Sequence, residues 1–228
     1  MADIRKEEKM NNEIKIAPSI LSADFAAMGA AVEKLEKCGA DLIHCDVMDG
    51  TFVPKITFGG DMIAAVRRHT LLPLDVHLMV VNPQNQVRAF AEAGASIITV
   101  HREACGEDIK NVLRLIKNCG ARAGVVINPD TSLKEVYDCL ELCDLLLIMS
   151  VYPGLGGQKF IERVLPKVEE ARRIFDAQGV AKDIEIDGGI TEANVRRVKD
   201  AGANVIVAGS TVFNAPDMAK TIADLRTL

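Results

Sequence analysis

The chain has 228 residues, 49% hydrophobic and 26% charged, which excludes disordered, collagenous and low-complexity classes and suffices for one large domain or two small ones. Its net charge of −5, from 27 basic and 32 acidic residues with no Lys/Arg block, excludes nucleic acid as an expected partner. The six cysteines, with no CxxC pair, fit a reducing, cytoplasmic compartment, and no apolar run is long enough to span a bilayer, so no membrane partner is expected.

The opening residues mix both charge signs without an apolar stretch, so residues 1–13 read as a flexible tail rather than a leader, and residues 14–228 as the folded unit. Short β-rich apolar runs then follow at 14–18, 41–47, 74–79, 96–101, 121–127, 144–150, 183–187 and 203–208. Between them lie stretches with helical spacing, such as Phe25, Met28, Val32 and Leu35, or Val164, Val168, Ala171 and Ile174 or Phe175. Helix ends are marked by Gly39, Gly94, Gly120 and Gly202, each followed by alanine, and helix starts by Asn82 before Pro83, Thr131-Ser132 before Leu133, and Thr191 before Glu192. Eight βα units of about 28 residues predict an α/β fold, a single closed (β/α)8 TIM barrel. An open doubly wound sheet is the alternative, and no GxGxxG follows the first run to support it.

In such a barrel the active site forms at the C-terminal ends of the strands. The two-residue period of a strand puts His44, Asp46 and Met48 on one face of the second run and Asp75, His77 and Met79 on one face of the third, while the seventh ends at Asp187. A single histidine at a strand end is ordinarily a hydrogen-bonded core or rim residue, and His69 and His101 are read that way. The coincidence of two inward histidines with carboxylates on three strands points instead to a divalent metal site, tetrahedral or octahedral. Asp75 lies deeper and is the weaker acid, and Asp49 before Gly50 is as much a turn-former as a catalyst. Glycines recur after the sixth run (Gly154, Gly156, Gly157), the seventh (Gly188, Gly189) and the eighth (Gly209, then Ser210). Close backbone N–H approach at consecutive strand ends makes phosphate the leading ligand. Met48, Met79 and Met149 share one level and suggest an apolar floor beneath it. A metal, two carboxylates and a phosphate anchor suit proton abstraction beside a carbonyl, with Asp46 removing a proton from one face and Asp187 returning one to the other.

Several ordered phrases carry a family resemblance: Ala17-Pro18-Ser19-Ile20-Leu21-Ser22-Ala23-Asp24-Phe25, HxDxMDG from His44 to Gly50, Phe52-Val53-Pro54, and Leu74-Asp75-Val76-His77-Leu78-Met79. Asn128-Pro129, Pro153-Gly154 with Gly156-Gly157-Gln158-Lys159-Phe160, and Asp187-Gly188-Gly189-Ile190 complete the set. From about residue 16 onward the chain resembles ribulose-phosphate 3-epimerases. The resemblance implies a ribulose-phosphate-binding (β/α)8 barrel that interconverts D-ribulose 5-phosphate and D-xylulose 5-phosphate in the pentose phosphate pathway. It implies one divalent ion (zinc, iron, manganese or cobalt) on His44, Asp46, His77 and Asp187, with Asp46 and Asp187 as the acid/base pair. It further implies substrate contacts from Ser19, His77, Met48, Met79 and Met149, a phosphate cradle of Gly154, Leu155, Gly156, Gly157, Gly188, Gly189, Gly209 and Ser210, and a homo-oligomer, dimer or hexamer. Thr51, Lys55, Tyr152 and Leu155 depart from the usual pattern around the pocket lid, which leaves D-allulose 6-phosphate as an alternative substrate. A non-catalytic phosphosugar sensor is the alternative from another class, and it should lack one of the two acid/base carboxylates.

Overall fold

A computed structural model describes residues 13–228, so the expected tail lies, but for Glu13, outside the described residues. Eight strands form one all-parallel sheet: β1 (Lys15–Ala17), β2 (Ile43–Met48), β3 (Leu74–Met79), β4 (Ile97–His101), β5 (Arg122–Ile127), β6 (Leu145–Met149), β7 (Asp183–Asp187) and β8 (Val205–Val207). Each lies within a run expected from sequence or extends it by one residue. Ladder hydrogen bonds run from β2 in sequence order to β8 and on to β1. The seam between β1 and β2 is closed by the Asp41 amide donating to the Ile16 carbonyl (2.9 Å), the His44 amide donating to the Pro18 carbonyl (3.1 Å), and a Ser19–His44 bridge. β1 stops short of Pro18 because proline has no amide to extend a ladder.

The helices surround this sheet: α1 (Met28–Lys37), α2 (Gly60–Arg67), α3 (Val87–Glu92), α4 (Arg102–Cys105), α5 (Ile109–Asn118), α6 (Leu165–Ala177), α7 (Val195–Asp200), α8 (Ser210–Phe213) and α9 (Met218–Thr227). Ile43, Cys45 and Val47 of β2 and Val76 and Leu78 of β3 pack outward with helix residues such as Val32, Leu35 and Phe175. Burying a side chain the size of Phe175 contributes about 1.5 to 3 kcal/mol. Inside the barrel, Ala17, Ile97, Val126, Leu145, Leu147, Met149, Val205 and Val207 form a separate apolar cluster. The polar residues of β2, β3 and β7 occupy the same interior, so the strand alternation divides packing from chemistry.

Three local expectations need adjustment. The chain after Ser132 forms two 3-10 turns, Leu133–Val136 and Leu140–Leu142, in place of an α-helix. Its buried residues Leu133, Val136 and Cys139 are spaced by three, which suits the three-residue turn of that helix. Thr191 does not begin a helix: α7 starts at Val195, and the Asn194 side-chain oxygen accepts from the Thr191 amide instead. Asn82 sits in the left-handed region at φ 49° and opens a 3-10 turn without a side-chain cap. The glycine stops behave as expected, with φ of 87°, 103°, 87° and 112° at Gly39, Gly94, Gly120 and Gly202.

Candidate active site

The mouth at the C-terminal strand ends gathers the expected residues. A cleft there is lined by Ser19, Asp46, Met48, Met79, Met149 and Asp187 and rimmed by Gly154 through Gly157, Gly188, Gly189, Gly209 and Ser210. His44 and His77 are fully buried behind it. Parallel register sets this up directly, because His44 faces Asp75, Asp46 faces His77 and Met48 faces Met79 across β2 and β3. Met149 pairs with Asp187 across β6 and β7, which brings the third methionine to the same level.

One atom from each of His44, Asp46, His77 and Asp187 lies within 4.8 Å of the others. His44 Nε2 is 3.4 Å from Asp46 Oδ1 and 3.9 Å from Asp187 Oδ2. His77 Nδ1 is 3.3 Å from Asp46 Oδ1 and 4.0 Å from Asp187 Oδ2. His44 Nδ1 meets Asp75 Oδ2 at 2.7 Å, so Asp75 orients the ring from below, and the weaker acid of the sequence proves to be an internal partner. His44 Nε2 is left buried without a hydrogen bond, aimed at the two carboxylates. A buried imidazole nitrogen without a partner, beside a second imidazole and two carboxylate oxygens, fits a divalent cation of the zinc to manganese range.

The electrostatics lead to the same point. Burial opposes a charge on His44, but Asp46 and Asp75 outweigh it and raise its pKa well above the usual value, so this spot calls for a positive charge. Burial pushes His77 down to about 4, which keeps that ring neutral. Burial would raise Asp46, yet the adjacent His44 and His77 hold it far below the usual carboxylate range. Asp187 moves the other way, up to about 7, through burial and the negative charge of Asp46. Two neighbouring carboxyls are thus displaced in opposite directions, the separation that acid and base partners require.

Other residues are held rather than reactive. Ser19 lines the cleft, but its hydroxyl donates to Asp46 Oδ2 at 2.5 Å. Asp49 is a turn-former, accepting from the amides of Thr51, Phe52 and Val81, each at 2.8 Å. His69 pairs with Glu33 at the surface. One inward residue, Glu185, is absent from the sequence expectations, whereas His101 is the buried, hydrogen-bonded histidine expected. Glu185 lies two residues before Asp187 on the same face of β7, 3.3 Å from His44 Nδ1, and His101 ends β4 against His77. The two-residue period that located Asp187 also marks Glu185.

The rim depends on backbone that only glycine accommodates. Gly188 has φ 121° and Gly189 φ 67°, and a Cβ at Gly188 would strike the Val151 side chain. The Ser150 hydroxyl donates to the carbonyls of Asp187 (2.9 Å) and Gly188 (2.7 Å), fixing this turn against β6. On the lid after β6, the Tyr152 hydroxyl donates to Asp130 at 2.7 Å, Arg163 reaches both, and the Gln158 amide donates to the Tyr152 and Leu155 carbonyls.

Fold and site together define a (β/α)8 barrel with a histidine–carboxylate centre and a glycine-rich rim at its C-terminal mouth, the place where barrel enzymes hold their substrates. A family model described as "Ribulose-phosphate 3 epimerase family" matches residues 15–213. The ribulose-phosphate 3-epimerase of Bacillus subtilis (strain 168) is 51% identical over 93% of this chain and 98% of its own length. That of Synechocystis sp. is 50% identical over 95% of each. Among solved structures, a 3-hexulose-6-phosphate synthase superposes with a TM-score of 0.64 at 20% identity, covering 94% of this chain and 98% of that one, a likeness of fold alone. The chain belongs to the ribulose-phosphate 3-epimerase family and is an isomerase.

Proposed function

We propose that this barrel, over residues 14–228, interconverts D-ribulose 5-phosphate and D-xylulose 5-phosphate by moving one proton between the two faces of C3. The observation that carries this reading is the pair Asp46 and Asp187, displaced in opposite directions around one buried, unpartnered imidazole nitrogen. In the ribulose direction, ionised Asp46 takes the C3 proton and the electron pair moves onto the C2 carbonyl oxygen. Protonated Asp187 then returns a proton to the opposite face of C3, and the reverse reaction exchanges the two roles. A divalent cation held by His44, Asp46, His77 and Asp187 would supply Lewis-acid stabilisation of the negative charge on the substrate oxygens. Zinc, iron, manganese and cobalt all suit that donor set.

The glycine rim from Gly154 to Gly157, with Gly188, Gly189, Gly209 and Ser210, would hold the phosphate, while Leu155 caps it. Met48, Met79 and Met149 would exclude water beneath the reacting carbons. Ser19 and His77 would contact the substrate as well as orienting Asp46. No helix among the described residues is long and apolar enough to cross a membrane. A cytoplasmic homo-oligomer, dimer or hexamer, completes the proposal.

The test is epimerisation of D-ribulose 5-phosphate in parallel with D-allulose 6-phosphate, on protein stripped by chelator and resupplied with each divalent metal. Metal-dependent turnover preferring the pentulose is expected. Preference for the hexulose reassigns the substrate, and no turnover with any metal overturns the reading in favour of a phosphosugar sensor.

A further inference from the structure

Behind His77, on the side away from the substrate cleft, runs a hydrogen-bonded chain of polar groups, buried at His101 and reaching the surface at Glu103, that takes no direct part in the proton transfer. His77 Nε2 lies 2.8 Å from His101 Nε2. The two rings meet edge to edge, with centroids 5.0 Å apart and planes 26° from parallel, and Phe52 lies 4.7 Å from the His101 ring. On its far edge, His101 Nδ1 lies 3.2 Å from Glu103 Oε2. Glu103 sits in the first turn of α4, where its other oxygen accepts from the Asn128 amide at 2.9 Å and from the Thr131 hydroxyl. Three strand ends therefore converge on one line of donors and acceptors.

Two imidazole nitrogens 2.8 Å apart share one proton, so one ring donates and the other accepts. Burial would raise the Glu103 carboxyl, but hydrogen bonds from His101, Thr131 and Asn128 outweigh it and hold it at about 2, so the group is an ionised acceptor. An acceptor-only carboxylate requires the proton of His101 on Nδ1. His101 Nε2 is then the acceptor, His77 Nε2 carries the proton, and the lone pair of His77 falls on Nδ1. That nitrogen faces Asp46 Oδ1 at 3.3 Å and Asp187 Oδ2 at 4.0 Å. The opposite tautomer would point an N–H into the cluster and donate to Asp46, filling the space where a cation would lie.

We propose that His101 and Glu103 are positioning residues that fix the tautomer and orientation of His77, so that its Nδ1 lone pair is directed at a divalent cation shared with His44, Asp46 and Asp187. This rests on the metal reading given under Proposed function. Partners behind a metal-ligating histidine raise its basicity, and their loss typically costs 10- to 100-fold in metal affinity. The chain acts in series, because Glu103 reaches His77 only through His101.

The test is competition between a chelator and the full chain for Zn²⁺ and for Co²⁺, on the wild type, His101→Phe, Glu103→Ala, Glu103→Asp and the double variant His101→Phe/Glu103→Ala. The melting temperature of each metal-free protein is recorded alongside. The expected result is about a 10- to 100-fold loss of affinity for both ions in His101→Phe and Glu103→Ala. The double variant should lose no more than His101→Phe, and Glu103→Asp should recover part of the loss. The absorption bands of the Co²⁺ protein should shift in the affected variants, which a purely structural role would not produce. Folded variants that keep wild-type affinity overturn the proposal, as do losses that add independently in the double variant. If His101→Phe does not fold, Glu103→Ala decides alone, since that side chain is a quarter exposed. A wild type that binds neither ion overturns the metal reading itself, a failure visible before any variant is compared, and this proposal falls with it.

Discussion

Asp46 and His77 stand opposite one another in the register of β2 and β3, and Oδ1 of the one lies 3.3 Å from Nδ1 of the other. The contact follows from the parallel ladder, in which inward residues at equivalent heights on neighbouring strands meet side by side. It joins a proton-transfer candidate to a metal-ligand candidate, so replacing either disturbs both.

Asp46→Asn and Asp187→Asn each remove a carboxylate while keeping side-chain volume. Each should lower kcat for epimerisation by about 10²- to 10⁴-fold, the usual contribution of a general acid or base. Binding of inorganic phosphate, followed by calorimetry, should change little, because the glycine rim is untouched. Near wild-type turnover in Asp187→Asn would falsify its role as the second acid/base residue.

Gly188→Ala tests the rim. At φ 121° an alanine is strained, and its Cβ would collide with Val151, so the turn that carries Gly189 must shift. Backbone strain of this kind costs about 1 to 3 kcal/mol. A fall in melting temperature together with a raised KM for the ketose phosphate is expected. An unchanged KM in a destabilised but folded variant would separate this turn from substrate binding.

Asp183, at the opposite end of β7 from the site, gives a pH dependence free of the catalytic groups. Burial would raise its pKa, but Arg122 Nη2 at 2.7 Å, Asn204 Nδ2 at 2.7 Å and Lys15 Nζ at 3.2 Å hold it below the usual value. A carboxyl whose folded pKa is depressed contributes stability above its unfolded pKa of about 3.9, and loses it as pH falls through the folded value. Asp183→Asn should therefore cost about 1 to 3 kcal/mol at pH 7 and progressively less below about pH 4. Urea unfolding at pH 7, 5 and 3.5 checks this, and a cost independent of pH would contradict it.

The strands were legible because each is a short apolar run whose period separates outward from inward side chains. That same period singled out His44, Asp46, His77 and Asp187 as a cluster, and the structure brings all four within 4.8 Å. Ser132 caps a 3-10 turn where an α-helix was expected, and Thr191 lies ahead of the helix it was expected to start. Local capping signals fix where a turn begins without fixing how far it propagates. Glu185 went unassigned, and His101 was expected only as a hydrogen-bonded core or rim residue, because isolated residue types on a strand carry no signal of their partners. His101 meets His77 on the neighbouring strand and Glu103 beyond its own, and Glu185 meets His44 from across the barrel.

Alternating runs, glycine stops and inward polar residues at strand ends determined by themselves the barrel and the histidine–carboxylate cluster at its C-terminal mouth. These features are periodic and local, so they survive in one dimension. The tertiary structure alone decided which atoms meet: that Asp75 serves His44 from below, that the Ser19 hydroxyl donates a hydrogen bond to Asp46, and that Asp46 and Asp187 are displaced in opposite directions. Such properties arise from burial and from charges a few ångströms apart, contributed by residues distant in sequence; at the bottom of the barrel Lys15 and Asp183 meet across 168 positions. Closure of the sheet creates those distances, and no spacing along the chain encodes them.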